Sequence, residues 1–293
     1  MTIDEGAIVS VDRRDDASTD RLLLPGFIDL QVNAPEGIGR QGVTGYLLAT
    51  REVAEQEDPL CLGLHLEGPF LNPEAAGAIP REELVPVDRA LVQEWAARPD
   101  LVRLVTLAPE LPGALEAVEG LVAAGIVVGL GHSFANALSV GAAVDRGARF
   151  ATHIWNATKP VKARKTGPVP RLLLDERVIL GLLTDGRHLH PLVEELTVRV
   201  AGPERIALTS DLVPLPAQRP DGTLLGGDCC GAALVARMAR FGLVEAATMA
   251  ALVPARLLGL ADRGRIAPGY RADIAVLAPD FTPLETLVGG EAL

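Results

Sequence analysis

Residues 126–156, IVVGLGHSFANALSVGAAVDRGARFATHIWN, decide the fold. No Asp, Glu, Lys or Arg occurs between Gly120 and Val144, a length that a membrane helix could fill. However, Gly125, Gly129, Gly131, His132, Ser133 and Asn136 interrupt it. The β-branched run running into Gly-His-Ser predicts a strand over 126–133, the polar turn a loop, and 136–146 a helix. A second apolar run, 148–156, predicts another strand. Together they make one strand–helix–strand unit, and such units imply parallel pairing.

Working outward, strands are also predicted at 26–33, 42–50, 60–68, 102–110, 178–186 and 205–212, with helices at 88–97, 112–124 and 191–200. Eight strands alternating with helices suggest an α/β fold, a closed (β/α)8 TIM-type barrel. An open doubly wound sheet is the alternative, but no Gly-rich phosphate fingerprint follows the first strand. Only residues 34–41 and 51–59 separate the first three strands. A parallel crossover normally needs a dozen or more residues, so one or two early helices should be missing. Apolar strand surface left bare there would want a cover, for which a partner subunit is one candidate. The expected division is a barrel over 25–263 and a small β-layer from 1–24 and 264–293. In that layer 7–11 is strand-like, an acidic run spans 12–20, and RIAPGYRADIAVL at 265–277 reads as strands and turns.

The 293-residue chain carries 27 Lys and Arg against 38 Asp and Glu, a net charge of −11. Apolar residues make up 48% and charged residues 22%, a globular composition rather than a disordered one. With few aromatic side chains and an acidic balance, the chain lacks both the basic face and the stacking rings of a nucleic-acid binder. Cys61, Cys229 and Cys230 show no Cys-x-x-Cys spacing, so they support neither a disulfide framework nor a thiolate zinc site, and they suit a reducing compartment. Residues 1–16 hold several acids and no long apolar run, unlike a signal peptide. The expectation is a soluble, cytoplasmic protein with no membrane partner.

Glu67, His132, His153, Asp185 and Asp211 each lie at the C-terminal end of a different predicted strand. In a barrel those ends share one rim, where active sites are built. A lone strand-end histidine is more often a satisfied loop residue, but titratable groups from five strands at one rim point to a shared pocket. Two histidines and a carboxylate form a zinc-type ligand set with coordination positions left open. A second carboxylate nearby can take a proton from water, so the arrangement describes metal-assisted hydrolysis. His65, two residues before Glu67 on the same strand face but deeper, suits a supporting role. His190 is expected on a solvated loop.

PGFIDLQVN (25–33), GLHLEGPFLN (63–72), VTLAPE (105–110) and GHS (131–133) are followed in order by ATHIWNA (151–157), TDGRH (184–188), TSD (209–211) and PARLLG (254–259). Together they resemble the N-acetylglucosamine-6-phosphate deacetylase family of the amidohydrolase superfamily. The resemblance implies that Glu67, His132 and His153 hold one divalent metal ion, zinc foremost. It makes Asp211 the general base and then the general acid, and gives His188 the acetyl carbonyl to hydrogen-bond. Where the superfamily often has His-x-His and a second metal, this chain has Gln31 and Asn33. Amides are poor zinc ligands, so a single-metal site is expected, with Gln31 and Asn33 lining the pocket. Lys159, Lys162, Arg164 and Lys165 form the densest basic stretch, directly after His153 and Asn156. Such a run is often a solvated face, but beside a metal ligand it suits anion capture. Arg164 matches the family's phosphate-binding arginine, which is supplied by the neighbouring subunit of a homodimer, with Asn156 and the Ala157 backbone completing the phosphate site.

The chain is shorter than the usual member of that family. A Gly-Ala-His run, whose histidine contacts the sugar, reads Gly77, Ala78, Ile79 here, and a Gly-Ser near the acetyl pocket is replaced around 226–228. Asp228 pointing inward would oppose an anionic substrate. Three functions stay open: deacetylation of the amino-sugar phosphate, hydrolysis of a different N-acyl substrate, and a non-catalytic relative acting as a binding protein.

Overall fold

A computed structural model describes residues 1–12, 20–215 and 217–293, so most of the acidic run 12–20 lies outside the described residues. Eight strands form one sheet in which each pairs with the next: Phe27–Val32, Val43–Thr50, Cys61–Glu67, Val102–Leu107, Val127–Leu130, Phe150–Ala151, Ile179–Leu182 and Ile206–Leu208. All of these pairings are parallel. The sheet returns on itself just beyond the eighth strand. Val32 bridges Leu212 in parallel, and Asn33 N–H donates to the Leu212 carbonyl at 2.8 Å. Inside the barrel, the Asp29 carboxylate accepts from Ser210 N–H at 3.1 Å, tying the first strand to the segment that carries Asp211.

One helix follows each of strands three to seven: α1 (Arg89–Ala96), α2 (Ala114–Ala123), α3 (Ala137–Asp145), α4 (Val169–Leu174) and α5 (Pro191–Ala201). Helix α2 buries Ala114, Ala117, Val118 and Leu121, the spacing of a single helical face. Helix α3 starts where Asn136 Oδ1 accepts from Leu138 N–H and Ser139 N–H, satisfying two of the first-turn donors. Residues 120–144 thus divide between the end of α2, a strand and most of α3. No described helix is long and apolar enough to cross a membrane.

As the short spacings predict, no α-helix follows strand one or strand two. Only a 3-10 turn, Ile38–Gln41, lies in the first gap. The expected bare apolar wall is absent, because the chain covers it with its own C-terminal end. Leu22–Pro25, Ile274–Leu277, Pro283–Val288 and Glu291–Ala292 form an antiparallel sheet. It packs where the helices are missing: Thr286 Oγ1 donates to the Gly39 carbonyl at 2.7 Å. At Gly42 (φ 83°) a Cβ would come within 2.8 Å of Ala275 Cβ, so only glycine admits the approach of the layer. Among the described residues of strands one to three, no large apolar side chain is exposed. The N-terminal hairpin of Thr2–Asp4 and Ala7–Ser10 joins this end through a bridge from Ala7 to Arg271.

Strand six is much shorter than the predicted 148–156. Its ladder stops at Ala151, and left-handed residues follow at His153 (φ 27°), Trp155 (φ 81°) and Ala157 (φ 48°). Apolar alternation reads as strand, but a backbone that enters the left-handed region cannot continue a ladder.

Candidate active site

Glu67 ends strand three, His132 follows strand five and His153 follows strand six. Their ligating atoms converge: Glu67 Oε1 lies 2.9 Å from His153 Nε2 and 3.2 Å from His132 Nε2, and the two nitrogens are 3.2 Å apart. These three form a candidate cation-binding group among the described residues. The donor set fits a divalent cation. His132 Nδ1 donates to the Ala75 carbonyl at 2.8 Å, which leaves the Nε2 lone pair facing the centre. His132 (φ 46°), His153 and Asp211 (φ 48°) all have left-handed backbone, a costly conformation for non-glycine residues that active sites often hold.

The loop carrying His132 is braced by a half-buried carboxylate. Glu110 accepts from Asn72 Nδ2 at 2.8 Å, Ser133 Oγ at 2.7 Å and Phe134 N–H at 2.6 Å. His65 has the supporting place expected of it. It is buried below Glu67 and bonded to the Leu30 carbonyl at 2.9 Å and to Thr106 Oγ1 at 2.7 Å. Burial lowers its pKa to about 4, so it is neutral and structural.

Asp211 stands on the other side of Glu67. Gln31 Nε2 donates both to Glu67 Oε1 at 2.9 Å and to Asp211 Oδ1 at 3.2 Å, and Asn33 Nδ2 donates to Asp211 Oδ1 at 2.9 Å. Both amides thus hold the same oxygen. Burial, then the charge of Glu67, raises the Asp211 pKa to about 6. Burial also opposes ionisation of Glu67, but hydrogen bonds from His132 and His153 outweigh it and hold the carboxyl well below its usual range. At His153 burial likewise works against charge, and Glu67 more than compensates, raising its pKa.

A cavity of about 700 Å3 opens above this floor. Glu67, His132, His153, Asp211, Asn33 and His188 line it, as do Asn156, Ala157 and Ile79. Gln31 does not. It is wholly buried beneath the floor with its amine shared between two carboxylates, which corrects its expected place as pocket lining. Asp185 also departs from expectation. Its buried side chain accepts from His188 Nδ1 at 2.7 Å and from two backbone N–H groups, so it orients His188 rather than facing the cavity. Burial opposes its charge, yet those donors keep its pKa below the ordinary value.

Arg164 is exposed on a tight turn bridged between Lys162 and Lys165, and it does not line this chain's cavity. Asp228 does not point in. It pairs with Arg187 Nη1 at 3.0 Å, so its charge is compensated. His190 is exposed, as expected, and caps α5. Three cationic side chains on the cavity wall were missed: Arg187, although it stands in the quoted motif at 184–188, and Arg51 and Arg219, which carried no sequence signal. Arg219 donates to the carbonyls of Gly77 and Ala78 at 3.0 Å each, docking a short hairpin onto the loop above His132. Asp29 and Glu110 were also missed, although each stands in a quoted motif at or near a strand end.

The barrel and its rim of metal-type ligands place the chain in a class of metal-dependent hydrolases, and the amidohydrolase family model matches residues 39–293. The chain belongs to the amidohydrolase family. It is 31% identical to the N-acetylglucosamine-6-phosphate deacetylase of Homo sapiens, over 97% of this chain and 85% of that protein. It is likewise 31% identical to the N-acetylgalactosamine-6-phosphate deacetylase of Shewanella sp. strain ANA-3, over 94% of this chain and 84% of that protein. The crystal structure of N-acetylglucosamine-6-phosphate deacetylase from Thermotoga maritima superposes with a TM-score of 0.89 at 27% identity, covering 99% of this chain and 93% of that one.

Proposed function

We propose that this protein hydrolyses the acetamide of N-acetylglucosamine 6-phosphate, giving glucosamine 6-phosphate and acetate. The observation that carries this reading is the meeting, on one cavity floor, of a His/His/Glu donor set with a separately held carboxylate, Asp211. A divalent cation held by Glu67, His132 and His153, zinc by the chemistry of the donors, would supply a Lewis acid to water and to the amide carbonyl. Asp211 takes the proton of the attacking water. Because Gln31 and Asn33 both donate to Oδ1, Oδ2 is left to move that proton and to deliver it to the departing amine.

His188 faces the carbonyl oxygen. Asp185 accepts from Nδ1, so Nε2 faces the cavity and donates to the carbonyl oxygen when the ring carries both protons. The phosphate is held by Asn156, the Ala157 backbone and Arg164 of a second copy, in a cytoplasmic homodimer. Exposure of Arg164 outside its own chain's cavity fits that arrangement. The hydrolase barrel comprises residues 25–263, and the two ends form its cover.

The Shewanella relative favours the C4 epimer as a second substrate. Acetate release is therefore measured with both sugar phosphates and with the unphosphorylated sugars, on protein of known metal content. Turnover with about one metal per chain, a strong preference for phosphate and the gluco form ahead supports the proposal. Preference for the galacto form reverses the substrate assignment. Bound metal without turnover directs the search to other amides, and absence of both turns it to a binding protein.

A further inference from the structure

A second cavity, of about 680 Å3, adjoins the first, and Asn33, Arg51 and Glu67 line both. Its remaining wall includes Thr50, Glu52 and Glu83. It lies beside the ends of strands two and three, where no helix follows strand two. At the boundary, Arg51 Nε pairs with a Glu83 carboxylate oxygen at 2.5 Å, with the two side chains 44% and 39% exposed. An ion pair so exposed to water contributes little net stability, so either partner can turn to a ligand at little cost.

We propose that this second cavity receives the acyl side of the substrate, and that the enzyme hydrolyses N-acyl groups longer than acetyl that carry a hydroxyl. The inference rests on the amide-hydrolase reading above and names the acyl groups that site accepts. A secondary amide is planar and trans, so the sugar carbon and the acyl chain leave the reacting unit at opposite ends. In the reading above, Asn156 and Ala157 take the phosphate and so mark the sugar end of the first cavity, while His188 meets the carbonyl oxygen. Glu67 stands at the reacting centre and also on the wall of the second cavity, so an acyl chain directed away from the sugar enters there.

The chemistry of the wall selects the chain. Besides Ala49 and Pro69, a hydroxyl, an amide, a guanidinium and three carboxylates line the space, and an alkyl chain would strip water from these polar groups without replacing its hydrogen bonds. A hydroxyacyl chain can donate to Glu52 or Glu83 and accept from Arg51. The reaction is unchanged. Water adds its hydroxyl to the acyl carbon, the C–N bond breaks, the amine leaves with the proton carried by Asp211, and the hydroxy acid is released.

The test compares N-acetyl-, N-butyryl- and N-(3-hydroxybutyryl)glucosamine 6-phosphate on the metal-loaded enzyme. The hydroxybutyryl compound should show kcat/KM within about tenfold of the acetyl compound, with butyryl well below both. Glu52→Trp, on an exposed loop, should fill the cavity, leaving the acetyl rate within about twofold and lowering the hydroxybutyryl rate more than about tenfold. Thr50→Phe, in the same turn as Glu52, should do the same. A hydroxybutyryl rate more than about 100-fold below acetyl, or an acyl preference that neither variant moves, overturns the inference while leaving deacetylation intact. If no compound is hydrolysed, the function proposed above fails first, and competitive binding then decides. Hydroxybutyryl binding as tight as acetyl keeps the acyl cavity, and binding about 100-fold weaker removes it.

Discussion

The Asp185 carboxylate, on a side chain fully closed to solvent, accepts a hydrogen bond from His188 Nδ1 at 2.7 Å. A carboxylate in that position decides which nitrogen faces the cavity and holds the ring in place. Asp185→Asn should keep the fold, leave KM within a few-fold and lower kcat about 100-fold, the scale for losing one donor to a developing oxyanion. Steady-state kinetics alongside circular dichroism check this. More than half the wild-type kcat would show that His188 works without the charge beneath it.

Asp211 must be ionised to accept a proton. With its pKa raised to about 6 by burial and by Glu67, kcat/KM should fall as pH drops through the acid limb. A bound dication adds opposite charge beside the carboxylate, so that limb should lie below 6 in the loaded enzyme. Asp211→Asn should retain metal and lose about 1000-fold in kcat at every pH. A pH–rate profile with metal analysis reads both, and persistence of the acid limb in the variant would assign it to another group.

Arg164 offers a test of subunit sharing. Arg164→Ala should raise KM for the sugar phosphate with a smaller effect on kcat. If the guanidinium serves a neighbouring copy, mixing Arg164→Ala with Asp211→Asn chains forms some sites with neither defect. Activity should then recover to about a quarter of wild type, since half the chains pair across types and one of the two sites in each such pair is whole. No recovery after subunit exchange would place the arginine's role within its own chain.

Asp175 links the end of α4 to strand seven. Its buried carboxylate accepts from Arg171 Nη2 and from Arg177 Nε and Nη2, each at 2.8 Å. The hydrogen bonds from Arg177, chiefly, hold its pKa down to about 2. A folded-state pKa below the unfolded value contributes stability that is full above about pH 4 and is lost as pH falls towards 2. With both arginines more than a third exposed, Asp175→Ala should cost about 1 kcal/mol at pH 7 and less at pH 3. Urea midpoints at the two pH values measure the difference.

The βαβ framework was legible because its signals are local. Helices predicted at 136–146 and 191–200 appear as Ala137–Asp145 and Pro191–Ala201. The convergence of Glu67, His132, His153 and Asp211 was legible too, since strand ends in a barrel share one rim. What escaped depends on side-chain direction and distant contact. Asp185 and Gln31 sit at the expected sequence positions, but one turns under His188 and the other lies below the floor. Nothing near Arg219 foretells that it reaches residues 77–78, and nothing near Gly39 that Thr286 will cover it.

That last contact has a consequence for how the chain folds during synthesis. The outer faces of the first two strands leave the ribosome early, while the segment that shields them, Pro283–Val288, is made more than two hundred residues later. Until it arrives, the earliest part of the barrel is an unshielded sheet margin, open to non-native association. Trimming the last few residues should therefore lower the yield of soluble protein far more than their small contribution to the core suggests. Joining residue 293 to residue 1 through a short linker, and opening the chain at an exposed loop such as 53–57, would bring the shield out first.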